Sequence, residues 1–146
     1  MKKITSIDLF AGVGGMRISL SKALKKMSYE DDCKLYSEIN SYSQQTYEKN
    51  FSPTKLIEDI KSIKEKDIEN TIPNHDILLA GFPCQPFSQA GYRMGLNDPI
   101  NGNHFLKLVE IIKHHKPSYI FLENVPNLKG HDDGNTWKMI ETSLRK

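Results

Sequence analysis

With only two cysteines in 146 residues, Cys33 and Cys84, the chain has no disulfide framework. No apolar run approaches the ~20 residues that a membrane-spanning helix needs. Charge of one sign is not in surplus: 20 Lys and Arg face 18 Asp and Glu, so the balance by itself does not argue for a nucleic-acid partner. Repeats and low-complexity tracts are missing. The opening residues, Met1 to Asp8, run straight into a strand-like pattern without the apolar core and cleavage site of a secretory signal. These absences predict one domain of ordinary size in a reducing cytoplasm.

What is present is a series of short apolar runs, each ending in a residue with chemistry. Asp76 to Ala80 reads as a buried strand, followed by Gly81-Phe82-Pro83-Cys84-Gln85-Pro86-Phe87-Ser88-Gln89-Ala90-Gly91. Prolines fix φ and glycines permit sharp turns, so this sequence presents a thiol at a strand end. Ile4 to Phe10 predicts another strand, and Ala11 to Gly15 a glycine turn that opens a helix carrying Met16, Ile18, Leu20, Ala23, Leu24 and Met27. A dinucleotide fingerprint counted from Gly12 would need glycine at position 17, which is Arg17, so a nicotinamide cofactor is the poorer reading.

Cys33 to Asn40 predicts a second strand with Glu38 at its end, where α/β nucleotide folds place a carboxylate for ribose hydroxyls. Tyr42, Tyr47 and Phe51 in the next helical stretch read as core. Lys55 to Ile60 predicts a third strand, and the charged run Lys61 to Asn70 a solvated connection with a helical turn or more. Gln85 to Asn103 is a long loop suited to a lid. A helix from Phe105 ends near His114-His115 with Pro117 as its stop, Ser118 to Leu122 is an apolar strand, and Thr136 to Leu144 a last helix. The histidine pair reads as helix-end chemistry and Asp132-Asp133 as turn and cap, leaving no metal site. All candidate groups follow strands, so a parallel sheet would gather them on one rim.

Three stretches, in order, resemble the DNA (cytosine-5)-methyltransferase family: Asp8-Leu9-Phe10-Ala11-Gly12-Val13-Gly14-Gly15, the Pro83-Cys84-Gln85 loop, and Glu123-Asn124-Val125. The resemblance implies a Rossmann-like α/β fold that binds S-adenosylmethionine, its mostly parallel sheet covered by helices on both faces and truncated after about the fifth strand. Residues 1–146 would be the N-terminal part of the catalytic domain, without a target-recognition domain. It assigns catalysis to Cys84 and Glu123, and cofactor contacts to Phe10, Ala11, Gly12, Gly14, Gly15, Glu38, Asp59, Ile60 and Pro83. Gln85, Ser88 and Asn124 would support the site or approach DNA. The implied substrate is double-stranded DNA with a flipped cytosine, and no metal is implied. The implied partner is a complementary C-terminal polypeptide, as in a split restriction-modification enzyme, or a second copy of the chain. An inactive remnant, a cofactor-binding module and a transfer-RNA cytosine-5 methyltransferase are the alternatives. The chain departs from the family pattern after Asp98-Pro99, where the usual arginine is missing, and at His104, where leucine is common.

Overall fold

A run such as Ile77-Leu78-Leu79-Ala80, apolar at every position, suits a strand covered on both faces. The computed structural model describes residues 1–51, 53–83 and 103–145. Among them β1 (Lys2–Leu9), β2 (Tyr29–Ser37), β3 (Lys55–Ile57), β4 (Ile77–Gly81) and β5 (Tyr119–Glu123) form one sheet in the order β3-β2-β1-β4-β5. Every neighbouring pair is parallel. The helices are α1 (Gly15–Lys26), α2 (Ser41–Asn50), the single turn α3 (Ile68–Thr71), α4 (Asn103–His115) and α5 (Asn135–Leu144). The strand order reverses direction at β1, so the ends of β1 and β4 flank a switch point of the kind where open α/β sheets hold ligands.

Several boundaries differ from the sequence reading for local reasons. β1 and β2 begin earlier than expected because their first residues pair with each other, Lys2 opposite Tyr29. β3 stops at Ile57 because the Asp59 carboxylate accepts the Lys61 N–H at 2.9 Å and turns the chain into a 3-10 turn, Ile60–Ser62. Tyr42, expected in the core, is 79% exposed, whereas Tyr47 is buried. The two lie five residues apart on α2, on different sides of the helix, and Phe51 follows Tyr47 by one turn.

Pairing of β1 with β2 slips between Ser6 and Ile7: Ser6 lies opposite Cys33, but Ile7 lies opposite Leu35. The extra residue, Lys34, is exposed, and the slip is a β-bulge. Beyond it Tyr36, Asp8, Leu79 and Phe121 align in one row across the sheet. Ile7, Leu9, Leu78 and Ala80 point the other way into the main core, against Phe105, Leu108 and Ile111 of α4.

The two faces are covered unequally. On the Asp8 face α1 and α2 cover β1 and β2, but the β5 side chains Tyr119 and Phe121 are 63% and 50% exposed. Met16, Leu20 and Ala23 of α1 face Leu79 and Phe121 across a groove of about 370 Å³. On the opposite face a cleft of about 520 Å³ separates Ile120 and Leu122 from Trp137, Ile140 and Leu144 of α5. β5 therefore has apolar clefts above and below its outer edge, which pairs with no strand among the described residues.

Candidate functional site

The glycine turn between β1 and α1 owes its shape to backbone angles that favour glycine. Gly12 and Gly14 have φ of +54° and +89°, and Phe10 shares the left-handed region at +55°. Among the described residues, an added Cβ on Gly12 or Gly15 would meet nothing within 4 Å, so none of them closes that surface to a ligand. On Gly14 the same atom would lie 2.3 Å from Cε2 of Phe51: this glycine is required by packing from behind. Among the described residues no side chain caps the α1 N-terminus, whose residue before the helix is Gly14. The first-turn amides and the positive end of the helix dipole thus offer donors to an anionic group.

Glu38 stands at the end of β2 and is bonded to this turn. One carboxylate oxygen accepts the Gly12 N–H and the other the Asn40 N–H, both at 2.7 Å. The Ala11 N–H reaches Ser37 O at 2.9 Å and completes the tie between turn and β2. Each carboxylate oxygen retains a second lone pair, so Glu38 can hold the loop and still accept from hydroxyls. Asp59 is half-buried as the cap of its 3-10 turn, and Ile60 packs in the main core.

Register brings the remaining groups to the same rim. Gly81 pairs with Glu123, and a Cβ built on Gly81 would lie 3.5 Å from a Glu123 carboxylate oxygen and 3.8 Å from the Phe10 carbonyl oxygen. β1, β4 and β5 thus end together. A side chain at Gly81 would stand between the glycine turn and Glu123. Asn124 donates from Nδ2 to Phe82 O at 2.8 Å and accepts the Val125 N–H at 2.8 Å, tying the ends of β4 and β5. Pro83 is half-buried beside them. Cys84, Gln85, Ser88 and most of the expected lid lie outside the described residues.

Two features were not foreseen from sequence. The His104 ring, at the position where the resemblance makes leucine common, packs edge-on against Phe10 with centroids 5.5 Å apart. Behind the glycine turn lies a buried polar cluster. Arg17, 7% exposed, donates from Nη1 to Tyr47 Oη at 3.2 Å and Thr54 Oγ1 at 3.1 Å. Its guanidinium sits 4.3 Å from the Phe51 ring centroid, and its Nε is 3.5 Å from Asp31. Tyr47 Oη donates to Asp8 at 3.3 Å. Burial pushes the Asp8 carboxyl up to about 7, against the lowering effects of Tyr47 and Arg17. Burial likewise raises the Cys33 thiol, which makes it a packed group and a poor nucleophile.

The open glycine surface, the donor-rich helix start and the adjacent carboxylate fit a nucleoside-type ligand carrying an amino-acid carboxylate, as S-adenosylmethionine does. Among the described residues no three or more His, Cys, Asp or Glu side chains gather as metal ligands would, and no helix is long and apolar enough to cross a membrane.

A family model described as C-5 cytosine-specific DNA methylase matches residues 4–146. The type II methyltransferase M.DsaV of Dactylococcopsis salina is 44% identical over 99% of this chain and 38% of its own length. M.HaeII of Haemophilus aegyptius is also 44% identical, over 100% of this chain and 42% of its own length. Among solved structures, the Entamoeba histolytica methyltransferase EhMeth superposes with a TM-score of 0.74 at 27% identity, over 99% of this chain and 44% of that one. The S. pombe Dnmt2 methyltransferase gives 0.67 at 21% identity, over 95% of this chain and 40% of that one, a likeness of fold. The chain spans about two fifths of the length of the curated relatives it matches.

Proposed function

The chain belongs to the C-5 cytosine-specific DNA methylase family, and from that premise we propose that it forms the cofactor-binding and base-activating part of a DNA cytosine-5 methyltransferase. The observation that carries this reading is the meeting of the glycine turn, Gly81 and Glu123 at one rim, with Cys84 following Gly81 by three residues in sequence. Glu38 and the amides of the glycine turn would hold S-adenosylmethionine, with Phe10 beside its base and Asp59, Ile60 and Pro83 nearby. Bound there, its sulfonium supplies an electrophilic methyl group.

Cytosine C5 is a weak nucleophile and must be activated. The Cys84 thiolate adds to C6 of a cytosine flipped from the duplex, and a carboxylic acid at Glu123 neutralises the charge that builds at N3. The electron pair released by this addition makes C5 nucleophilic. Once C5 carries the methyl group, loss of its proton restores the 5,6 double bond and expels the thiolate. Asn124 positions Glu123 by fixing the turn after β5 to the end of β4.

The reading is tested by transfer of labelled methyl from S-adenosylmethionine to mixed-sequence DNA, with transfer RNA as a second substrate. The chain is assayed alone and with the C-terminal part of a relative. Incorporation into DNA that drops at least 10³-fold in Cys84→Ser is the expected result. Incorporation into transfer RNA alone, or label unaffected by Cys84→Ser, overturns the proposal.

The partner reading rests on β5. A strand added to its edge would place alternate side chains in the clefts on the two faces, beside the exposed Phe121 on one and the half-buried Ile120 on the other. A complementary polypeptide is the proposed occupant, and a second copy occupies the edge without it. Light scattering of the isolated chain is expected to show species heavier than the monomer, reduced by Phe121→Lys. A monodisperse monomer at high concentration refutes this.

A further inference from the structure

We propose that Arg17 is a positioning residue for the cofactor loop, acting on the glycine turn through Phe51 and Tyr47 without touching the ligand. The inference rests on the reading of that turn as the S-adenosylmethionine site. Arg17 lies on α1 with its side chain turned inward, away from the open surface of Gly12 and Gly15. Its guanidinium stacks on Phe51, and Phe51 presses on Gly14 so closely that no Cβ fits between them. Nη1 binds Tyr47 on α2 and Thr54 just before β3, while Nε faces Asp31 of β2. Tyr47 carries the contact on to Asp8, two residues before Phe10. One planar cation therefore joins α1, β2, α2 and the approach to β3 around the back of the turn.

Packing alone does not call for an arginine here. A whole buried ion pair can often be replaced by apolar residues without loss of stability, but removing Arg17 alone leaves Asp31, whose side chain is 3% exposed, with only the Ser6 and Ser21 hydroxyls as partners among the described residues. What an unbranched apolar side chain cannot reproduce is the fork of donors that holds Tyr47 and Thr54 while the guanidinium plane lies on Phe51. Those contacts fix the ring against which Gly14 is set, and so fix the direction of the amides that follow it. A turn already held in its binding shape loses less conformational freedom when ligand arrives. The contribution to affinity is distinct from the contribution to the fold.

The variants Arg17→Met and Arg17→Lys separate the two. Three quantities are measured for each: the melting temperature without ligand, the calorimetric Kd for S-adenosylhomocysteine, and amide hydrogen exchange of residues 11–16. Arg17→Met is expected to melt below the parent, because Asp31 loses its cation, and also to bind about tenfold or more weakly and to exchange faster across the turn. Arg17→Lys, which keeps the charge and loses the fork, is expected to restore little of the affinity. A lower melting temperature with unchanged Kd and unchanged exchange overturns the proposal and leaves Arg17 a structural residue. If the parent chain itself binds no ligand, the cofactor reading fails, and exchange still decides on Arg17: unchanged protection of residues 11–16 in Arg17→Met refutes it.

Discussion

Gly14→Ala lowers the melting temperature of this chain by roughly 10 °C. Two terms add. At φ +89° an alanine carries the left-handed penalty of about 1 kcal/mol. Its Cβ would also lie 2.3 Å from Phe51 and 3.0 Å from Tyr47, and such overpacking costs about 1–3 kcal/mol. Phe51 has little room to yield, since the Arg17 guanidinium lies on its ring and Tyr47 packs beside it. A sum of about 3 kcal/mol corresponds to the stated shift for a domain of this size. The double variant Gly14→Ala with Phe51→Leu should recover the steric part and not the backbone part. Scanning calorimetry of both checks this, and a Gly14→Ala variant that melts like the parent would contradict the packing of Phe51 on the turn.

Asp8→Asn stabilises the chain at pH 8 and leaves its stability near pH 4 unchanged. Asp8 is buried, and its carboxyl is raised from the ordinary 3.8 to about 7. The folded state therefore holds this proton where the unfolded state has released it. Stability from this group is full below pH 4, falls as pH rises towards 7, and is absent above, a difference of up to about 4 kcal/mol. The groups that act on Asp8 are Tyr47 of α2, Arg17 of α1, Asp31 of β2 and Glu38 beyond it. Asparagine still accepts from the Tyr47 hydroxyl and has no proton to lose.

His75 and His115 act with the opposite sense. Burial lowers both below the ordinary histidine value, so their contribution is complete above pH 6.5 and is lost on acidification. Parent and variant share that term, and the difference between their urea midpoints across pH 4 to 8 isolates Asp8. Parallel curves would show that Asp8 stays ionised in the fold.

The elements that position the site were legible because each combines an apolar run with a local stop signal. Ile77 to Gly81 is bounded by Asp76 and Pro83, and the glycine turn by Phe10 and the apolar spacing of α1. Parallel order then follows from helices between strands, and with it the common rim. Three things depended on partners distant in sequence. Arg17 drew notice only as a residue that spoils a glycine fingerprint, since its partners lie 14, 30, 34 and 37 positions away. Tyr42 and Tyr47 differ only in phase on a helix whose apolar stripe is weak. The early stop of β3 rests on one hydrogen bond at Asp59. The histidine against Phe10 was visible at position 104, but its contact was not.

The slip in pairing at Ser6 and Ile7 has a consequence for how the chain tolerates changes in length. Side chains alternate along a strand, so one extra residue is worth a half-turn of everything after it. Because Lys34 is spent in the bulge, Tyr36 faces α2 and stacks on Tyr47 with ring centroids 4.0 Å apart. Glu38, two residues further on, faces the glycine turn. A ladder regular from Lys2 onward would present Leu35 and Ser37 to those places instead. The carboxylate that ties the glycine turn to β2 is therefore specified by a count of residues between Tyr29 and Glu38 as much as by the identity of residue 38.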